Sequence, residues 1–343
     1  MAQIDILSLG YDELLEEILL MGEPKFRAKQ IFSWLHEKKV TSFSEMTTLS
    51  LQLRERLKEK FCLNRLKIAK RLASSIDDTV KYLYQLPDGN YVETVWMEYH
   101  HGVSVCLSTQ VGCRMGCKFC ASTIAGFVRN LTPGEILLQI YEAERDMGKN
   151  IDSIVLMGIG EPLDNYDNVI SFLKILSSPE GRGMSLRHVT LSTCGIVPRI
   201  YDLAKDASGI TLSISLHSSS DGKRSEIMPI NRSYNISQLL AAANSFFKAT
   251  GRRITFEYAV IEDVNSAEKD AAELAGILKG MQCHVNLIPV NPIAERNFYG
   301  SRKTANKFMD ILSKYGINAT VRRTLGSDIE AACGQLRRNA IEK

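Results

Sequence analysis

The densest chemistry in this chain lies in eight residues, Cys113-Arg114-Met115-Gly116-Cys117-Lys118-Phe119-Cys120, where three cysteines follow C-x3-C-x2-C spacing. Thiolates this close occupy one loop and can face one centre. A structural zinc site is normally closed by four ligands, and an ordinary [4Fe–4S] cluster takes four thiolates. Three thiolates therefore suit a cluster with one iron left open to a small molecule. Zinc remains the alternative, short of a nearby fourth ligand.

Further polar residues fall at regular intervals after this loop. Met157-Gly158-Ile159-Gly160-Glu161-Pro162 follows one expected strand, Ser192 and Ser215-Leu216-His217 end two more, and Asn291 follows another. Glycines at a strand end let the backbone approach a ligand closely, although a tight turn is the ordinary explanation. Two more cysteines lie apart from the triplet. Cys106 is on the strand leading into the loop, and Cys333 sits near the C-terminus in Ala332-Cys333-Gly334-Gln335. A lone cysteine usually packs as a small hydrophobe, which is the reading for Cys62, Cys194 and Cys283. The alternation of Cys106 with Val103, Val105 and Leu107 fits a core role as well.

The elements that must position these residues come in three sections. Residues 1–75 read as a helical accessory unit, with helices at 12–21, from near Pro24 through Leu35, and 49–61. Residues 76–100 read as a β-hairpin linker turning at Pro87-Asp88-Gly89-Asn90, since Pro fixes φ and Gly admits positive φ. From 101 to 343, strands at 102–109, 152–157, 187–193, 210–216, 253–260 and 283–289 alternate with helices. Thr132-Pro133-Gly134-Glu135 is a capping box. Six βα units imply parallel strands with helices outside, and fall short of an eight-stranded barrel. The expectation is an α/β fold built on an open partial (βα)6 barrel, its mouth lined by the loops that carry the motifs.

The 343 residues are 45% hydrophobic and 24% charged, with net charge +3. These values fit an ordinary globular protein. No apolar run approaches a membrane span and no signal peptide opens the chain, so a cytoplasmic protein with reduced thiols is expected. The charge is unevenly placed, since residues 54–71 hold eight Lys or Arg against two Glu. That run, with Lys223, Arg224 and Arg232, suits RNA-backbone contact or simply a solvated face.

The triplet and the Gly-Glu-Pro motif resemble the radical S-adenosylmethionine (SAM) superfamily. Along nearly its whole length the chain resembles the RlmN/Cfr family of radical SAM adenine methyltransferases. The shared marks include Gly22-Glu23-Pro24, Val92-Glu93-Thr94-Val95, Ser108 to Cys113, Arg129-Asn130-Leu131-Thr132, Met228-Pro229-Ile230-Asn231 and Ala332 to Leu336. The resemblance implies a [4Fe–4S] cluster on Cys113, Cys117 and Cys120. It implies SAM held by Gly160, Glu161, Ser192, Ser215, Leu216, His217 and Asn291, with two SAM used per turnover.

It also implies that Cys333 takes a methyl group and that a radical made from the second SAM activates it. The methyl carbon then joins adenine, Glu93 accepts a proton, and Cys106 releases the product by forming a disulfide with Cys333. The expected substrates are 23S rRNA in the peptidyl-transferase region and the adenine 3′ of the anticodon in tRNA. An external electron donor and a disulfide reductant would serve the reaction. The loop from Cys113 to Thr123 looks more like RlmN, which favours adenine C2; Cfr-type C8 methylation, linked to antibiotic resistance, is the alternative. A non-catalytic iron–sulfur RNA-binding protein would explain the triplet and the basic run. It would not explain Gly160-Glu161, Cys106 and Cys333 together.

Overall fold

Residues 79–99 are rich in Val, Tyr, Thr and Trp, which favour the pleated, half-buried backbone of a strand. The computed structural model describes residues 3–293 and 295–337, so the outer limits of the expected sections, 1 and 343, lie outside it. Within it the hairpin forms from β4 (Thr79–Gln85) and β5 (Tyr91–Tyr99), its turn closed by Gly89 at φ 85°.

The N-terminal unit holds α1 (Tyr11–Leu20), α2 (Phe26–His36) and α3 (Leu51–Lys60), tied by a short parallel pair of β1 (Ile4–Asp5) and β2 (Phe61–Cys62). Leu14, Ile18, Ile31, Phe32, Leu35, Leu53 and Leu57 are buried at helical spacing and join the main core. Each contributes ~1.5–3 kcal/mol of burial.

Beyond the hairpin come β6 (Gly102–Cys106), the small antiparallel pair β7 (Gln110–Val111) and β8 (Arg129–Asn130), and then α4 (Pro133–Met147). Thr132 Oγ1 accepts from Glu135 N–H at 3.2 Å and the Glu135 carboxylate accepts from Thr132 N–H at 3.0 Å, completing the expected capping box. The alternation continues through β9 (Ser153–Leu156), α5 (Tyr166–Ser177), β10 (Val189–Thr193), α6 (Val197–Asp206) and β11 (Thr211–Ser215). It proceeds through the short α7 (Asp221–Ile227), α8 (Ile236–Thr250), β12 (Ile254–Val260), α9 (Glu268–Leu278), β13 (Cys283–Pro289), α10 (Arg302–Lys314) and β14 (Ala319–Val321).

All the expected strands and helices of this region are present. With β3 (Lys67–Ala73) they form one open sheet in the order β14-β13-β12-β11-β10-β9-β6-β5-β4-β3, parallel from β6 to β14. Two features exceed the sequence reading. β14 is a seventh parallel strand, too short to show a period. The hairpin, with β3, continues the main sheet antiparallel. β3 was hidden because its exposed residues alternate nothing: only Leu72 is even partly buried.

The C-terminal segment crosses the open side of the sheet. Asp328 accepts from Ser74 Oγ at 2.7 Å and Ser75 N–H at 2.8 Å, and Gly326 N–H donates to Asp77 at 2.9 Å. Further on, Ala121 N–H donates to the Gly334 carbonyl at 2.7 Å. No helix among the described residues is long and apolar enough to cross a membrane.

Candidate active site

At the C-terminal ends of the parallel strands, Cys113, Cys117 and Cys120 open into one cavity of about 920 Å³, the solvent at its mouth included. Gly158, Gly160, Glu161, Ser192, Ser215, His217 and Asn291 line its wall, and Cys333 closes it from the C-terminal segment. A second cavity of about 580 Å³ adjoins it and holds Cys106 and Cys333 together. Asn291, Arg322 and Cys333 belong to both.

The cysteine loop is shaped by backbone. Gly112 has φ 76°, and a Cβ there would meet the Gly126 carbonyl oxygen at 1.8 Å. Lys118 N–H donates to the Ile227 carbonyl at 2.9 Å, which ties the loop to α7. Burial pushes the Cys113 thiol up to about 12 and raises Cys117 and Cys120 as well. Thiols in such a site ionise only against a positive centre. Among the described residues no three His, Cys, Asp or Glu side chains converge as ligands of a single ion. A cluster differs in taking each thiolate on a different iron, so its ligands stand apart. Three thiols in one cavity, Cys113 and Cys117 buried and Cys120 partly so, offer the donor set that such a cluster takes, without the fourth ligand that closes a structural zinc site.

At Gly158 a Cβ would lie 2.6 Å from Leu107 backbone, and at Gly160, φ 111°, 2.7 Å from the Gln110 Cβ. The close approach these glycines serve is therefore to the neighbouring strand end. Glu161 accepts from Leu163 N–H at 3.0 Å and Cys194 N–H at 2.7 Å, and burial raises its pKa against those bonds.

The polar strand ends differ in what they present. Ser192 Oγ donates to Glu257 at 2.8 Å. His217 has φ 55°, and its Nδ1 accepts from Ala259 N–H at 2.8 Å; burial pulls its pKa down to about 3, so the ring is neutral. The Leu216 side chain is buried in the main core, leaving only its backbone near the site. Asn291 Nδ2 donates to the Cys333 carbonyl at 3.2 Å.

Strand alternation decides the orientation of Cys106. Val103, Val105 and Leu107 enter the main core, while Cys106 packs on the opposite face with Val95, Met97, Ala331 and Leu336. All eight cysteines are free thiols. Burial raises Cys106 and Cys333, and Arg322 offsets part of that cost in both. Glu93 stands apart from this group. It is 1% exposed, its Oε2 accepts from Arg337 N–H at 2.6 Å, and Lys81 Nζ lies 3.4 Å from Oε1. The C-terminal segment covers it, so it does not line the cavities.

The readings of the other cysteines and of the basic residues divide. Cys283 is buried, Cys62 is half-buried, and Cys194 is buried but also lines the cavity. Within 54–71, Arg56, Lys58, Lys60, Arg65 and Arg71 pair with Glu23, Glu55, Glu17, Glu142 and Asp146. Much of the local excess is thus matched by carboxylates distant in sequence, while Lys67 and Lys70 stay exposed on β3. Lys223 pairs with Asp270. Arg224, expected at a surface, is fully buried.

Two wall residues escaped the sequence reading. Glu257 is a carboxylate on an otherwise apolar strand, a signal that could have been read. Arg322 follows the three-residue β14 and approaches Glu257 at 3.4 Å, with no pattern to announce it.

Comparisons with known proteins identify the family and the fold. The sequence model of the radical SAM superfamily matches residues 107–275, and that of the ribosomal RNA large subunit methyltransferase N-terminal domain matches residues 4–63. A probable dual-specificity RNA methyltransferase RlmN of Alkaliphilus oremlandii is 52% identical over 343 residues, covering 100% of both chains. One from Lachnoclostridium phytofermentans is 49% identical, over 99% of this chain and 96% of its own. The crystal structure of a radical SAM methyltransferase from Sphaerobacter thermophilus superposes with TM-score 0.93 at 41% identity, covering 97% of this chain and 99% of that one.

Proposed function

This chain belongs to the RlmN family of radical SAM RNA methyltransferases, and from that premise we propose that it methylates C2 of adenine in 23S rRNA and in tRNA, in the cytoplasm. The family implies a [4Fe–4S] cluster and SAM. Cys113, Cys117 and Cys120 would hold the cluster. Gly160, Glu161, Ser192, Ser215, the backbone of Leu216, His217 and Asn291 would hold SAM. Bound there, the two supply the methyl group and the radical that activates it.

The chain's own residues do the rest. The Cys333 thiolate carries the methyl as a thioether, because an adenine C–H carbon is too weak a nucleophile to take it directly. Its carbon would join the base, linking protein to RNA, once that radical has removed one of its hydrogen atoms, and the electron left over on the ring would return to the cluster held by the triplet. Glu93 accepts the proton displaced from the ring carbon. Cys106 then attacks the Cys333 sulfur, forming an S–S bond as the S–C bond breaks, and the released carbon, which leaves with that electron pair, takes a proton to become the methyl group of the base. An external thiol reductant restores both cysteines. Cavity walls exclude water while these steps proceed.

The observation that carries this reading is the presence of Cys333 in both cavities, facing the cysteine triplet on one side and Cys106 on the other. Glu93 lies under residues 330–337, so this reading requires that segment to shift when RNA enters. The basic N-terminal unit, with Lys67 and Lys70 exposed, is the proposed RNA contact, and the dual-specificity name of the relatives favours two RNA substrates. Adenine must be presented unstacked.

The test is anaerobic reconstitution with methyl-labelled SAM and either unmodified 23S rRNA or tRNA, then mass spectrometry of nucleosides. Labelled 2-methyladenosine from both RNAs is expected. An 8-methyl product would overturn the regiochemistry, and label in neither RNA would overturn the activity.

A further inference from the structure

Arg224 is the largest buried charge that the proposed chemistry leaves unused. Its guanidinium is 0% exposed. Nε donates to the Leu216 carbonyl at 2.9 Å and Nη1 to Asn231 Oδ1 at 2.9 Å. Nη2 donates to the carbonyls of Cys194 at 2.8 Å and Ser215 at 2.9 Å. Every one of these acceptors is neutral. Asp221, on the same helix, is a carboxylate within electrostatic reach of Arg224 but not in contact with it; it accepts from Asn231 Nδ2 at 2.9 Å and from Ile236 N–H at 2.9 Å. Among the described residues Arg224 forms no ion pair with a carboxylate.

Hydrogen bonds to neutral carbonyls satisfy the donors of a guanidinium but do not cancel its charge. A buried charge whose nearest carboxylate, Asp221, is not in contact with it is only partly offset, and an under-compensated buried charge is costly, so a further negative partner is expected close by. The groups around Arg224 show where. Cys194 and Ser215, whose carbonyls it holds, line the main cavity, as do Cys117 and His217. The His217 ring is neutral, so it adds no second cation. Through Ile227, α7 also holds the backbone of Lys118, between two of the three thiols. The charge thus sits on the helix that braces the cysteine loop, on the Cys117 side of the cavity, while Arg296 Nη1 donates to the Cys117 carbonyl at 2.9 Å from another segment.

We propose that Arg224 is a fixed counter-charge on the Cys117 side of the three-thiolate site, a positioning residue that favours the anionic, reduced state of a cluster bound there. The inference rests on the cluster reading above. Net charge and nearby dipoles set cluster potentials, and a buried cation stabilises the state carrying the extra electron.

The experiment compares reconstituted wild-type protein with Arg224→Lys and Arg224→Gln, without RNA, by redox titration followed by electron paramagnetic resonance. Arg224→Gln is expected to lower the reduced-to-oxidised ratio at a fixed poise at least tenfold, about 59 mV for one electron. Arg224→Lys, which keeps the charge, should move it far less. Equal potentials in all three proteins would overturn the proposal, as would Lys and Gln variants shifted alike. Should Arg224→Gln fail to take up iron while circular dichroism shows it folded, the Lys variant decides. Iron content and potential close to wild type support the charge, and loss of iron from a folded Lys variant refutes it. A wild-type protein that binds no iron and sulfide would instead defeat the cluster reading itself.

Discussion

Cys106 and Cys333 line one cavity with Arg322 beside them, although Cys106 lies on the first parallel strand and Cys333 near the end of the chain. Asp328 and Gly326 bring Cys333 there by fastening the C-terminal segment to the turn between β3 and β4.

This pairing separates the roles of the two thiols. Cys333→Ala should abolish methyl transfer to protein and RNA alike. Cys106→Ala should keep methyl loading and accumulate a covalent RNA–protein adduct. Denaturing electrophoresis with labelled RNA checks both, and normal turnover by Cys106→Ala would remove that thiol from the reaction.

Lys81 and Glu93 form a buried pair on adjacent strands. Burial raises the Glu93 carboxyl, and Lys81 is the main influence pulling it back. Lys81→Met removes that influence, so the carboxyl ionises only at higher pH, and the acid limb of the pH–rate profile should move upward. Glu93→Gln should reduce turnover by ~10²-fold or more, the usual worth of a positioned base, with iron content unchanged.

Gly160 leaves no room for a side chain. A Cβ would stand 2.7 Å from the Gln110 Cβ and 2.8 Å from its backbone nitrogen, at φ 111°. Gly160→Ala should weaken SAM binding by more than about tenfold and cost ~1–3 kcal/mol of stability. Gly148→Ala, where no atom lies within 4 Å, is the control: it carries only the left-handed backbone penalty of ~1–2 kcal/mol. Equilibrium dialysis and chemical denaturation read both effects.

His36 ties the N-terminal unit to α4. The residue is 1% exposed, its ring packs tilted at 53° against Phe32 with centroids 4.2 Å apart, and it meets the Tyr141 hydroxyl at 2.9 Å. Burial lowers its pKa from 6.5 to about 3. The unfolded chain therefore binds a proton first as pH falls. The stabilising contribution is complete above about pH 6.5 and is lost progressively toward pH 3, by a few kcal/mol at most. His36→Gln should flatten that part of the stability curve, as urea melts between pH 7 and 4 would show.

Much of the fold and site was legible in the residues. Hydrophobic alternation marked six parallel strands, the Thr132–Glu135 box marked a helix start, and cysteine spacing marked a loop whose three thiols share one cavity. Each is a local signal, because side-chain period and ligand spacing are set by neighbouring residues in the chain. Cys106 could be assigned to a face opposite Val105 only once the sheet had a core side.

Other decisions belong to tertiary structure alone. Nothing near Arg224 in sequence distinguishes a surface arginine from a buried one; the carbonyls that hold it come from Cys194, Ser215 and Leu216 on other strand ends. The basic run of 54–71 looked unopposed until folding brought Glu142 and Asp146 of α4 against it. Glu93 is covered by a segment from the far end of the chain, and β14 was too short for periodicity to show. Charge pairing and burial depend on distance in space, which a one-dimensional pattern does not carry. The sequence alone therefore determined which residue types were available to react, and the tertiary structure decided which of them share a cavity and which are neutralised elsewhere.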